Sequence, residues 1–324
     1  MDVRFVPAPS ILPDGSVPPD APPARFPGVA AALAARLARD PARPMITFYD
    51  DATGERVEFS TTTLDNWVAK TANLLGDTVG LAPGDAVGVD LPAHWTTCVI
   101  LLAAWSAGLD VHVAVGPETP DGGPGGKGAE GAEGAEGAGS PATGAGGYTG
   151  AGTAPEELGV VFVSEDRLEI ATGLGVDEIV ALSLRPLGGR LRRPVPGVLD
   201  YAVEVPPHGD RYAAPPPPAG QAGLIRIAES AARRAGLGPD DRILTAAGPA
   251  TAVGLLTGIL IPLVSGASVV LCRNLASIEP AALARRADSE RITAVDWSVP
   301  GPLTEALPAG VRPIDPVDAH ARRR

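Results

Sequence analysis

The chain has 324 residues, with 26 basic and 38 acidic side chains and a formal charge of −12. That balance argues against a protein that grips nucleic acid through its phosphates. Forty glycines, 35 prolines and only 4% aromatic residues leave part of the length as linker or tail, and room for one or two small domains. The two cysteines, Cys98 and Cys272, lie inside apolar runs, and no apolar leader follows Met1. The expectation is a cytoplasmic protein with two buried thiols rather than a disulfide framework.

Residues 1–24 include Pro7, Pro9, Pro13, Pro18, Pro19, Pro22 and Pro23, which reads as a disordered tail. A helix is expected from Pro27, with Val29, Leu33 and Leu37 on one face. Residues 45–50 and 56–60 flank Asp51-Ala52-Thr53-Gly54 as a hairpin. Ser60 or Thr61 caps a second helix with a stripe of Leu64, Trp67, Val68, Thr71, Leu74 and Leu75, ended by Gly80. A strand over 86–91, a helix over 95–107 and a strand over 110–115 follow, the order of a parallel crossover unit.

Residues 116–156 are rich in glycine, alanine and glutamate, with three GAE triplets at 128–136. So little apolar area predicts a flexible insertion. Strands are expected over 158–164 and 178–184, then an irregular segment to Gly223 that ends in Pro215–Pro218. Beyond it the pattern predicts a helix over 224–235, a strand over 242–247, a helix over 250–264, a strand over 267–272, a helix over 280–287 and a strand over 292–297, with a C-terminal tail.

The order helix, GLAPGD, strand, helix, SAG, strand over residues 62–115 recurs as helix, GLGPDD, strand, helix, VSG, strand over 224–272. Two repeated α/β lobes with mainly parallel sheets are the simplest architecture: a first lobe over 25–115, a second over 157–298, and a tail over 299–324. The repeat also weighs against a membrane span. Residues 243–271 carry no charge, but Gly248, Pro249, Pro262 and Gly266 divide them into strand, helix and strand.

The segments PMITFYDDATGERVEFSTTTLDNWVAKTANLL, GLAPGDAVGVDLPAHWTTCVILLAAWSAG and GLGPDDRILTAAGPATAVGLLTGILIPLVSGASVVLC, with ITAVDWSVP beyond, resemble the front part of adenylate-forming enzymes. That superfamily includes acyl-CoA synthetases, luciferases and the adenylation domains of peptide synthetases. More narrowly, the chain resembles a small actinobacterial family of short, distant homologues of AMP-binding enzymes. The resemblance covers residues 26–115 and 158–300. It implies an α/β fold like the N-terminal domain of those enzymes, ATP or AMP as cofactor, and activation of a carboxylate as an acyl-adenylate.

Two departures weigh against that chemistry. The phosphate loop of the family precedes the helix expected at 224–235, where this sequence reads PPHGDRYAAPPPPAGQAG; from Leu184 to Glu229 there is no serine, threonine or lysine. Proline offers a phosphate no N–H. The family's later ATP-binding motifs and lysine-bearing C-terminal domain would lie beyond Trp297, and Lys70 and Lys127 stand in neither place. The expectation is a truncated, degenerate, non-catalytic module that binds an unknown small molecule or protein partner, and neither nucleic acid nor membrane. The alternatives are an ATP-dependent ligase completed by a partner chain, and an interaction protein acting through its insertion and tails.

No catalytic or metal-binding residue is assigned. His208, Asp210 and Arg211, in LDYAVEVPPHGDRY near an expected sheet end, are the candidates for holding a small anion or polar head; the alternative is a surface loop tied down by its charges. Arg185, Arg190, Arg192 and Arg193 form a basic patch or a solvated face. Lys127 lies in GGPGGKG, which fails the phosphate-loop pattern at Asp121 and Gly128. Trp67, Trp95, Trp105 and Trp297 are expected in the core, and His94, His112, His208 and His320 lack metal-ligand spacing.

Overall fold

The computed structural model describes residues 3–13, 17, 21–116 and 152–317. The GAE triplets, Lys127 and His320 lie outside the described residues. The chain opens with β1 (Arg4–Pro7), followed by α1 (Val29–Arg39), β2 (Pro44–Asp50), β3 (Glu55–Ser60), α2 (Thr61–Asn73), β4 (Ala86–Asp90), α3 (Trp95–Ser106) and β5 (Asp110–Val115). After the insertion come β6 (Val160–Ser164), α4 (Leu168–Thr172), β7 (Ile179–Leu182), β8 (Leu199–Asp200), α5 (Tyr201–Glu204) and α6 (Gln221–Arg234). The last part contains β9 (Arg242–Thr245), α7 (Ala252–Leu255), α8 (Ile261–Ser265), β10 (Ser268–Arg273), α9 (Pro280–Ser289), β11 (Ala294–Asp296), α10 (Gly301–Glu305) and β12 (Arg312–Ile314). A π turn over Leu256–Leu260 joins α7 to α8.

Two six-stranded sheets result. Sheet A runs β1-β5-β4-β6-β7-β8, parallel except for β1; sheet B runs β12-β11-β9-β10-β2-β3, parallel except for β3. The halves of the chain interleave: β2 and β3 pair onto β10 in sheet B, whereas β6, β7 and β8 extend sheet A from β4. Each lobe therefore contains strands from both sides of the insertion.

The repeat is visible bond by bond. Asp85 Oδ2 accepts the Ala82 amide at 2.8 Å, and Asp241 Oδ2 accepts the Gly238 amide at 2.8 Å. The Asp85 carbonyl accepts from Asp110, and that of Asp241 from Ser268, which starts β5 beside β4 and β10 beside β9 in parallel register. Gly108 and Gly266, at φ +76° and +86°, release the two crossover helices.

α3 is buried along all twelve residues and contacts β5 of sheet A and β2 of sheet B, so it lies between the sheets. A helix apolar all round is stable only when enclosed on every side. α1 buries Val29, Ala32, Leu33 and Arg36 at helical spacing, and the Ser60 hydroxyl caps α2 by accepting the Thr63 amide. Residues 243–271 fold as β9, a broken helix and β10; among the described residues no helix is long and apolar enough to cross a membrane.

Three expectations are corrected. The reading of 1–24 as disordered fails at its start: β1 pairs antiparallel with the edge of β5, and Phe5, Val6, Ala8 and Leu12 are buried. Pro7 is tolerated because it closes an edge strand. The stretch after β7 is not irregular throughout, since Leu199 and Asp200 add β8 and Asp200 caps α5. The C-terminal tail contributes α10 and β12, which pairs in parallel with β11. These short elements carry too few residues to show a period of their own.

Candidate functional site

In open parallel sheets, ligands gather beyond the carboxyl ends of the strands. Here the segments leaving those ends in both sheets converge at the first turn of α3. The chain leaves β4 through Leu91-Pro92-Ala93 and caps α3 with His94; β7 runs into the loop 183–190, and β9 runs into Ala246–Pro249. His94 lines two cavities. One is shared with Thr96, Leu182, Gly188 and Tyr201, the other with Cys98, Ala247, Pro249, Gly254 and Gly258. Each has a volume of about 10 Å³, room for roughly one water molecule.

His94 is fully buried. Its Nδ1 accepts the Thr96 amide at 3.2 Å and lies 2.7 Å from the Thr96 hydroxyl. That arrangement puts the ring proton on Nε2, which has no partner within the protein. Burial, reinforced by the charge of Arg273, pushes the imidazole pKa down to about 3, so His94 is a neutral donor. Aromatic rings surround it: Phe48 at 4.5 Å and Trp95 at 5.6 Å between centroids, with Phe59 and Trp67 at 4.8 and 5.5 Å from Trp95. The buried Trp95 Nε1 and Glu55 Oε2 also lack partners in the protein.

The loop 183–190 covers the first cavity. Leu184 and Leu187 hold φ of 51° and 63°, a left-handed conformation that costs a side-chain-bearing residue about 1–2 kcal/mol. The loop is bonded mainly to itself: the Ser183 hydroxyl donates to Gly189 O, and Arg185 Nη2 to Arg190 O. It reaches sheet B through the Leu187 amide, which donates to Glu55 Oε1 at 2.8 Å. The Leu187 side chain is 81% exposed.

Beside the second cavity, Gly254 is required by contact, because a Cβ there would stand 1.9 Å from the Gly248 carbonyl oxygen. The π turn that follows brings the Thr257 hydroxyl to 2.6 Å from the buried carboxylate of Asp296. Asp296 also accepts the Ser298 amide at 2.9 Å. This tight turn faces Trp297 outward at 51% exposure, a correction to its expected place in the core; Trp95 and Trp105 are buried and Trp67 is half-buried.

The expected site residues lie elsewhere. Lys70 Nζ donates to the carbonyls of Pro206 and His208, Asn73 Nδ2 to those of Gly209 and Arg211 at 2.9 and 3.0 Å, and Thr78 meets His208 Nε2 at 3.1 Å. The strap 206–211 is thus fastened along the end of α2. His208 is half-buried, Asp210 and Arg211 are exposed, and none of the three lines either cavity. Arg185, Arg190, Arg192 and Arg193 lie in and beyond the loop after β7. Among the described residues no cluster of histidine, cysteine and carboxylate side chains could hold a metal ion.

The segment ahead of α6 is a packing element. A Cβ on Gly28 would lie 2.6 Å from Pro217 Cβ, and one on Gly108 would lie 3.5 Å from Pro215. Gln221, 6% exposed at the first turn of α6, accepts the Val29 amide through Oε1 at 3.1 Å and donates through Nε2 to Trp105 O at 2.6 Å. It therefore joins the start of α1 to the end of α3. Four prolines without N–H groups, and a glutamine whose two polar atoms are engaged, do not fit a triphosphate cradle.

His94 escapes a reading of the sequence alone because one histidine has no spacing partner. The available signal was its place, separated by three residues from a strand and at the start of an uncharged helix.

A scan against protein-family models finds no match. Among curated proteins, the "TIGR03089 family protein" of Mycobacterium tuberculosis (strain ATCC 25618 / H37Rv) is 34% identical over 276 residues, covering 82% of this chain and 96% of the relative. The chain belongs to the TIGR03089 family. Solved structures extend the likeness at the level of fold. The acyl-CoA synthetase of Brucella canis superposes with a TM-score of 0.61 at 15% identity, over 97% of this chain and 56% of that one. The nonribosomal peptide synthetase FmoA3 (S1046A) gives 0.53 at 17% identity, over 85% of this chain and 26% of its own; its AMPPNP-bound form gives 0.54 at 16%. This TIGR03089 member thus spans little more than half the acyl-CoA synthetase and about a quarter of the peptide synthetase, and it shares the α/β fold of the acyl-CoA synthetase's N-terminal domain.

Proposed function

We propose that this protein is a non-catalytic binding module built on the scaffold of the adenylate-forming enzymes. The observation that carries the reading is the segment ahead of α6. Where those enzymes are expected to cradle phosphates, this chain has Pro215–Pro218 and Gln221 packed between α1 and α3. The module would act by recognition, holding a small molecule or a partner protein at the carboxyl ends of its strands.

The test is ATP–pyrophosphate exchange with magnesium and a panel of aliphatic and aromatic carboxylates. The expected result is no exchange above the protein-free rate. Exchange by this chain alone refutes the reading. Exchange that arises only when a second polypeptide is added refutes it in favour of a ligase shared between two chains.

A further inference from the structure

We propose that the segment 184–193, which leaves the carboxyl end of β7, is a docking surface for an acidic segment of a partner protein, one that carries an apolar side chain among its carboxylates. The proposal deepens the binding reading above and rests on it. In a protein of charge −12, the stretch from Ile179 to Leu199 holds Arg185, Arg190, Arg192 and Arg193 and no acidic residue. Arginines elsewhere are matched: Arg56 and Arg242 with Glu290, Arg167 with Asp90, Arg286 with Asp51, and Arg312 with Asp241. Arg190, Arg192 and Arg193 are exposed, and among the described residues none of the four arginines of the segment takes part in an ion pair.

Carboxylates do stand beside the segment, but they bind its backbone. Glu55 Oε1 accepts the Leu187 amide at 2.8 Å, Asp200 Oδ2 that of Leu191 at 2.9 Å, and Glu165 Oε1 that of Arg192 at 2.6 Å. Within the segment the Arg185 guanidinium donates to Arg190 O, and the Gly188 amide donates to Arg185 O at 3.1 Å. These bonds hold the main chain and leave the guanidinium groups of Arg190, Arg192 and Arg193 to the outside. A surface fixed in advance loses little conformational freedom on binding, and the planar fork of arginine matches a carboxylate. Leu187 stands among them, 81% exposed and held at φ 63°, so the chain keeps a left-handed backbone here without burying the side chain it presents.

The class of partner follows from the charge of the whole molecule. An extended polyanion, whether nucleic acid or an anionic bilayer, would also meet the acidic surface beyond the segment, and the field of a protein at −12 opposes it. A short acidic stretch touches the segment alone, with charges farther than about 8 Å screened at physiological salt. Its carboxylates would steer the encounter and pair with the arginines, while its apolar side chain covers Leu187.

The experiment selects from a phage-displayed library of random dodecapeptides on the immobilised full chain, then measures the enriched peptides in solution by fluorescence anisotropy. The expected result is acidic peptides with an apolar side chain, bound saturably and more weakly as sodium chloride is raised. The double variant Arg190→Gln, Arg192→Gln should lose about tenfold in affinity. Leu187→Asn, which suits the left-handed backbone, should lose several-fold. The double variant Arg233→Gln, Arg285→Gln, at exposed positions of α6 and α9, makes the same change in net charge and should bind like the parent. Phosphatidylserine vesicles serve as the competing surface. The proposal is overturned if no peptide is enriched, if the enriched peptides are not acidic, if the variants of the segment bind like the parent or no worse than the distant double variant, or if the vesicles are bound and acidic peptides are not. Pyrophosphate exchange would refute the non-catalytic reading, whereas a failed selection refutes this proposal alone.

Discussion

Replacing Gln221 by alanine tests whether the proline-rich segment is a structural joint. In the native chain, Oε1 receives the Val29 amide at 3.1 Å and Nε2 reaches Trp105 O at 2.6 Å. Val29 is 0% exposed and begins α1, so its N–H has no carbonyl within its own helix to turn to. Trp105 O keeps the Gly108 amide at 3.1 Å, and its loss is smaller. One orphaned buried amide costs about 1–3 kcal/mol, and the partly filled space left by the side chain adds about 1 kcal/mol. The expected destabilisation is about 2–4 kcal/mol, or roughly 3–6 °C in thermal midpoint for a chain of this size. Urea unfolding followed by circular dichroism should show a lower midpoint with an unchanged slope, and Arg233→Ala on the exposed face of α6 should change neither. A loss under about 0.5 kcal/mol in Gln221→Ala would refute the reasoning.

Two further outcomes follow from the same geometry. Because burial holds His94 neutral with its pKa down at about 3, the unfolded chain binds a proton there below about pH 6.5 while the folded chain does not. Stability should therefore fall as pH drops from about 6.5 toward 3, by up to about 1.4 kcal/mol per pH unit from this group. Denaturant midpoints at pH 7 and pH 5 should converge in His94→Phe, and an unchanged pH dependence would count against a neutral buried imidazole. Gly254→Ala forces a Cβ to 1.9 Å from Gly248 O, whereas Gly258→Ala, one turn on, meets nothing within 4 Å. The first should lose several kcal/mol, about 3 or more, and the second should be neutral or slightly stabilising; equal thermal midpoints would contradict the close approach at Gly254.

Much of the fold was legible because long elements carry their own period. The apolar stripe and Ser60 cap of α2, the uncharged run of α3, and the paired GLAPGD and GLGPDD breaks all have counterparts in the structure. The site was less legible. His208, Asp210 and Arg211 form a dense polar cluster in the sequence, yet the strap that carries them is tied to Lys70, Asn73 and Thr78, away from both cavities. His94 carries no motif; its interest arises only when β7, β9 and α3 converge and leave its Nε2 without a partner.

What the amino-acid order determined by itself is local: where the longer helices and strands lie, that two crossover units repeat, and that four successive residues before α6, Pro215–Pro218, carry no amide hydrogen. Those are matters of side-chain period, backbone sterics and a missing N–H, each decided within a few residues. Tertiary structure alone decided that β2 and β3 join β10 rather than β4, that Arg4–Pro7 becomes an edge strand, and that Gln221 joins two helices that each lie more than a hundred positions before it in the chain. Edge pairing and the satisfaction of buried polar groups depend on which distant segments supply the complementary donor, acceptor or apolar face, and that information is held by no single stretch of the chain.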